Sequence, residues 1–60
     1  MIARYDIVPD ATGWTVRDNV TGLPAVLYGV AQTGLTLEAA DDLADALTYI
    51  DRQSGRSTHH

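Results

Sequence analysis

Four carboxylates, Glu38, Asp41, Asp42 and Asp45, recur at the spacing i, i+3, i+4, i+7, which stands them together on one side of any helix that carries them. Such a stripe could hold a cation or receive the arginines and lysines of a basic protein. The plainer reading is a solvated helix face whose charges suit the positive end of the helix dipole. Calcium needs a loop that wraps it with backbone and side-chain oxygens, which a helix face does not provide. Magnesium would be held weakly, through one or two carboxylates and water. The two histidines, His59 and His60, are neighbours at the end of the sequence. A tail of that kind chelates metal loosely at best, since transition metals prefer a preorganised set of ligands. The pattern therefore assigns no metal and no cofactor.

Catalysis finds little to work with. There is no cysteine, hence no thiol nucleophile, and Ser54 and Ser57 sit in or beside the expected tail. Any two carboxylates could in principle form an acid–base pair, but sixty residues leave little chain for the cleft that shifts a pKa. Gly29 and Gly34 bracket Val30-Ala31-Gln32-Thr33 without the lysine of a phosphate loop, and the helix that follows begins with acid, which repels phosphate. The expectation is a chain that is not an enzyme. The aromatics Tyr5, Trp14, Tyr28 and Tyr49 could stack bases if cations surrounded them. Arg4 and Arg17 could share a sheet face for that purpose, but Asp6 and Asp18 lie near them in sequence and make paired surface charges the better account.

Composition narrows the classes further. Eight carboxylates against four arginines, with no lysine, give a net charge of -4. That balance disfavours nucleic acid, whose binding grows with the number of cationic contacts, and suits either a basic protein or simple solubility. The apolar share of 45% is that of a folded protein. No apolar run reaches the roughly 18 residues of a membrane span, and Met1-Ile2-Ala3-Arg4-Tyr5-Asp6 does not read as a signal peptide. The expectation is a cytoplasmic protein with no membrane partner. Asn19-Val20-Thr21 matches a glycosylation sequon by chance on that reading.

The elements that position these residues follow from periodicity. Ala3 to Val8 alternates, with Ala3, Tyr5 and Ile7 on one side, and reads as a half-buried strand. Pro9-Asp10-Ala11-Thr12-Gly13 supplies turn chemistry. Trp14 to Asp18 is a second strand, with Trp14 and Val16 on one side and Thr15 and Arg17 on the other. Asn19-Val20-Thr21-Gly22 turns again. Ala25 to Ala31 is apolar on both faces and reads as a third strand, with Val26, Tyr28 and Val30 pointing one way and Ala25, Leu27 and Gly29 the other. Thr36 is a helix N-cap. From Leu37 to about Arg52 no glycine or proline interrupts. Leu37, Ala39, Ala40, Leu43, Ala44, Ala46, Leu47 and Ile50 fill one half of the helical wheel, with Asp51 the one polar residue among them. Gly55 is the expected stop. The reading is one α+β domain over residues 1–54: a three-stranded antiparallel meander followed by one C-terminal amphipathic helix packed on one face, with 55–60 as a flexible tail.

The series Tyr5-Asp6-Ile7-Val8-Pro9-Asp10, Gly13-Trp14-Thr15-Val16 and Gly34-Leu35-Thr36 leading into Leu37-Glu38-Ala39-Ala40 resembles the N-terminal β-β-β-α domain of HicB-type antitoxins. The likeness spans about residues 3 to 52. It departs after the second strand, where Asp18-Asn19-Val20-Thr21-Gly22-Leu23-Pro24 stands in place of the family's usual Phe-Pro-Asp-Leu-Pro-Gly-Cys. The family also normally continues into a DNA-binding domain, and this sequence does not. The resemblance implies a partner-binding domain, one that could occlude a small basic toxin, and it implies no catalytic residue.

The sequence thus reads as a noncatalytic interaction module that forms a homodimer and binds a basic protein. Its partner-facing residues are Val26, Leu27, Tyr28 and Val30 on the third strand and Glu38, Asp41, Asp42 and Asp45 on the helix. A third strand at the sheet edge, with no charge or internal proline between Ala25 and Ala31, would invite pairing with a second copy into a six-stranded sheet, or face-to-face packing. Two readings compete with this one. One is a nucleic-acid-associated regulator acting through Arg4 and Arg17. The other is a metal-responsive or small-ligand domain using the acidic stripe.

Overall fold

The alternating segment near the start of the chain forms β1 (Tyr5–Pro9) in the computed structural model, which describes residues 3–57. It pairs antiparallel with β2 (Trp14–Asp18), setting Tyr5 opposite Asp18, Ile7 opposite Val16 and Pro9 opposite Trp14. Between them Asp10 builds the turn. Its amide donates to the Gly13 carbonyl at 2.8 Å, and its Oδ1 accepts the amides of Thr12 and Gly13 at 2.8 and 2.7 Å. Gly13 is needed for closeness rather than for positive φ: a Cβ there would stand 2.5 Å from the Leu35 carbonyl oxygen. That approach lets Trp14 and Leu35 exchange backbone hydrogen bonds of 2.8 and 2.9 Å.

A two-residue strand, β3 (Leu23–Pro24), completes a sheet of order β1-β2-β3, with Leu23 opposite Asp18 and Pro24 opposite Arg17. The expected α+β class is what the structure shows: a three-stranded antiparallel sheet, a further two-stranded one, and a single C-terminal helix packed against β1 and β2.

The third strand differs from its expectation. Ala25 to Ala31 is not one extended strand at an edge. β4 (Val26–Leu27) and β5 (Val30–Ala31) fold on each other as a hairpin, joined through Tyr28 and Gly29 at φ of 52° and 77°. Two successive positive-φ residues mark a type I′ turn, whose twist matches that of paired strands. The hairpin is an arm that leaves the sheet at Val16. The Val16 carbonyl accepts the Ala25 amide at 2.8 Å, and its amide donates to the Gln32 carbonyl at 3.0 Å. Gln32 in turn donates to Ala25 at 2.8 Å and closes the base of the arm. The expected facing of Val26, Tyr28 and Val30 to one side therefore does not hold, because Val26 pairs with Ala31 while Leu27 pairs with Val30. An apolar run of this length reads as a buried strand, and only the lone glycine within it signals a break.

The helix, α1 (Leu37–Ser57), starts where expected, with the Thr36 hydroxyl accepting the Ala39 amide at 3.1 Å. It passes Arg52 and runs through Gly55, since glycine in a helix costs only about 1 kcal/mol relative to alanine. The expected tail residues His59 and His60 lie outside the described residues. The face against the sheet is narrower than half a wheel. Ala40 and Ala44 are buried beside Val16 and Ala25, while Leu43 and Leu47 are partly covered at their flanks. Small side chains at the centre let the helix axis lie close to the strands. Leu37, Ala39, Ala46 and Ile50 stay exposed, because two long strands and a stub are too narrow to cover them.

Candidate partner-binding surface

The residues expected to meet partners separate into two surfaces. Val26, Leu27, Tyr28 and Val30 all lie in the arm. Tyr28 at the tip is fully exposed, Val26 and Val30 are 61% and 60% exposed, and Leu27 is half-buried. Glu38, Asp41, Asp42 and Asp45 lie exposed on α1. None of the four pairs with a cation among the described residues. Nor, within that span, do three or more metal-ligating side chains gather into a group that could hold an ion.

Beneath the arm runs an open groove of about 520 Å³. Leu23, Pro24 and Val26 line it from the arm and its root, Tyr5 from β1 and Leu47 from α1; Arg4 and Asp18 also reach it. Leu23 is 64% exposed. Apolar walls carrying a few polar groups suit an amphipathic occupant.

Arg4 ties the sheet to the far end of the helix. Its Nε and Nη2 donate to the two carboxylate oxygens of Asp18 at 3.3 and 3.2 Å, a forked pair. Its Nη1 donates to Asp51 Oδ1 at 2.7 Å, and its guanidinium carbon stands 5.3 Å from the centroid of the Tyr5 ring. The hydrogen bonds to Asp18 and then Asp51 raise the Arg4 pKa above its ordinary value. Asp18 is lowered by Arg4 first and by the Val20 amide second. Arg17 donates to Asp6 at 3.3 Å and to Asn19 Oδ1 at 3.1 Å. Arg4 and Arg17 therefore do not combine into a cationic sheet face: Arg4 turns to the helix side, and each is engaged by carboxylate. Paired charges were the better expectation, and they are what the structure contains.

Asp10 is the other concentrated polar site. Besides the two turn amides, it accepts the Thr15 hydroxyl at 2.6 Å and the Gly34 amide at 2.9 Å. Those donors, Thr15 foremost, hold its carboxyl well below the usual carboxylate range. With its lone pairs spent inside the fold, Asp10 fastens the β1–β2 turn to the segment before α1 and has no acceptor capacity aimed at a ligand. This also accounts for the burial of Thr15, which alternation assigns to the outer face.

Sequence reasoning missed the Arg4–Asp51 contact, although Asp51 was the single polar residue on the apolar side of the wheel. A lone carboxylate there asks for a cation across the interface, and Arg4 supplies it. No helix of the described residues is long and apolar enough to cross a membrane. No protein-family model, curated protein or solved structure matches this chain.

Proposed function

We propose that this chain is a noncatalytic interaction module that associates with a second copy of itself and presents its acidic helix face to a basic protein. The observation that carries the proposal is an uncharged stretch from Val20 to Leu37 that leaves Val20, Leu23, Val26, Tyr28 and Val30 exposed. Exposed apolar side chains gathered on one uncharged stretch of a small acidic protein suit protein contact. Sixty residues without a disulfide also gain from the burial that association adds. Edge pairing of an extended third strand is not the route, since that strand is folded into the arm. Nucleic acid fits less well, because Arg4 and Arg17 are paired with carboxylates. The resemblance to HicB-type antitoxins would make a small basic toxin the partner of the acidic face, and a cytoplasmic setting belongs to the same proposal. Light scattering after size exclusion, repeated over a wide dilution range, tests the self-association. A dimer that dissociates on dilution is expected, and a folded monomer at every concentration up to the millimolar range would defeat it.

A further inference from the structure

We infer that the partner seated on the groove is a second copy of this chain, and that two copies exchange arms: the Tyr28 tip of each enters the groove beneath the arm of the other. This deepens the self-association proposed above and rests on it. Three observations on different scales favour this occupant.

The first is backbone conformation. A type I′ turn favours asparagine, aspartate or glycine at its first central position, and a bulky side chain at φ of 52° is a rare choice there. Tyrosine at this point gains nothing within its own chain, because its side chain is fully exposed. A strained aromatic presented at the end of an arm needs its reward from another molecule.

The second is charge. Each copy carries -4, so two copies repel unless they meet where the charges are absent or paired. The arm and its root supply an uncharged contact, the ion pair of Arg4 with Asp18 is internally matched, and the acidic stripe lies on the side of α1 turned away from the sheet. A basic partner would choose the stripe, whereas a groove with apolar walls, whose charged lining is the mutually paired Arg4 and Asp18, selects an uncharged element, and the arm is such an element.

The third is size. A tyrosine presents about 150–250 Å². Two tips and the two grooves that receive them, each walled by Leu23, Pro24 and Val26, bring the contact to the order of 1,000 Å², the lower bound of specific interfaces. Reciprocal seating about a two-fold axis makes the contact self-complementary and closed, so it stops at two copies. The tyrosine hydroxyl would meet Arg4 and Asp18, which line the same groove.

Two substitutions test the exchange on the full chain, read by light scattering and by sedimentation. Tyr28→Asn removes the ring while placing a favoured residue at positive φ, so each copy should be at least as stable alone and the dimer should weaken by at least about tenfold. Leu23→Arg obstructs the groove from an exposed position and should weaken the dimer likewise. Mixed together, the two variants should associate better than either alone, because the intact tip of the Leu23→Arg chain meets the open groove of the Tyr28→Asn chain. A dimer indifferent to Tyr28→Asn, or one lost on Ile50→Lys instead, would overturn arm exchange and leave self-association standing. A mixture no better than its components would overturn tip-in-groove seating. A wild-type monomer up to millimolar concentration would overturn both proposals.

Discussion

Arg4 donates Nη1 to Asp51 Oδ1 at 2.7 Å and thereby joins the residue before β1 to the C-terminal half of α1, across forty-seven positions of sequence. The same guanidinium holds Asp18 of β2. One cation therefore fastens three pieces of chain along the side of the groove. Asp51→Asn should loosen the end of the helix more than its start. Hydrogen exchange would register faster opening of the amides around Tyr49 to Arg52, with those around Ala40 unchanged. Arg4→Gln should reproduce the effect, and the double variant should add little to either. Independent, additive effects would mean that the contact does not hold the helix.

The centre of the core is Val16, fully buried between Ala25, Ala40 and Ala44. Val16→Ala should cost about 1–3 kcal/mol, as expected for two buried methyl groups and the cavity left behind. In a small domain this is a large share of the total stability. Leu47→Ala should cost less than a fully buried leucine would, since Leu47 is only partly covered. Urea denaturation followed through Trp14 fluorescence gives both values, and the ranking reverses if the leucines rather than the alanine-lined centre carry the interface.

Acid should weaken the fold through Asp10 and Asp18, whose carboxyls are both held below their ordinary range in the folded chain. The unfolded chain then binds protons more readily than the folded one. The stabilisation is complete above the ordinary carboxylate pKa of about 4 and is lost as pH falls below it. Asp10→Asn should lower the denaturation midpoint at neutral pH and flatten the acid limb of stability against pH. An acid limb as steep as that of the wild type would place the titration elsewhere.

What the sequence made legible follows the range of the physics involved. β1, β2, the Asp10 turn, the Thr36 cap and the alanine–leucine face all depend on neighbours within a few residues, and periodicity or turn chemistry reveals them. The arm depends on a choice between two pairings of the same apolar run. Val26 to Ala31 satisfies a strand pattern whether it lies flat against β2 or folds on itself. The outcome turns on Tyr28 accepting positive φ, which tyrosine rarely advertises. Arg4 illustrates the other gap. Alternation alone sends it to the outer face with Arg17, but it precedes the strand, and its long side chain is free to turn toward two carboxylates on the helix side. Val26, Leu27, Tyr28 and Val30 do lie together on one element, but the shape of that element, a projecting hairpin above a groove, was not readable from spacing.

The closure of the arm at Ala25 and Gln32 bears on how such a protein diversifies. The two residues are already bonded to each other and to Val16, so the sheet does not depend on what lies between them. Lengthening a loop whose ends are fixed costs little, about 0.6 kcal/mol for each doubling. Sequence between those anchors can change in length and in tip residue without breaking the hydrogen bonds that hold the anchors to Val16. The projecting hairpin is thus the segment whose sequence is least tied to folding, and the natural position at which to graft a foreign loop.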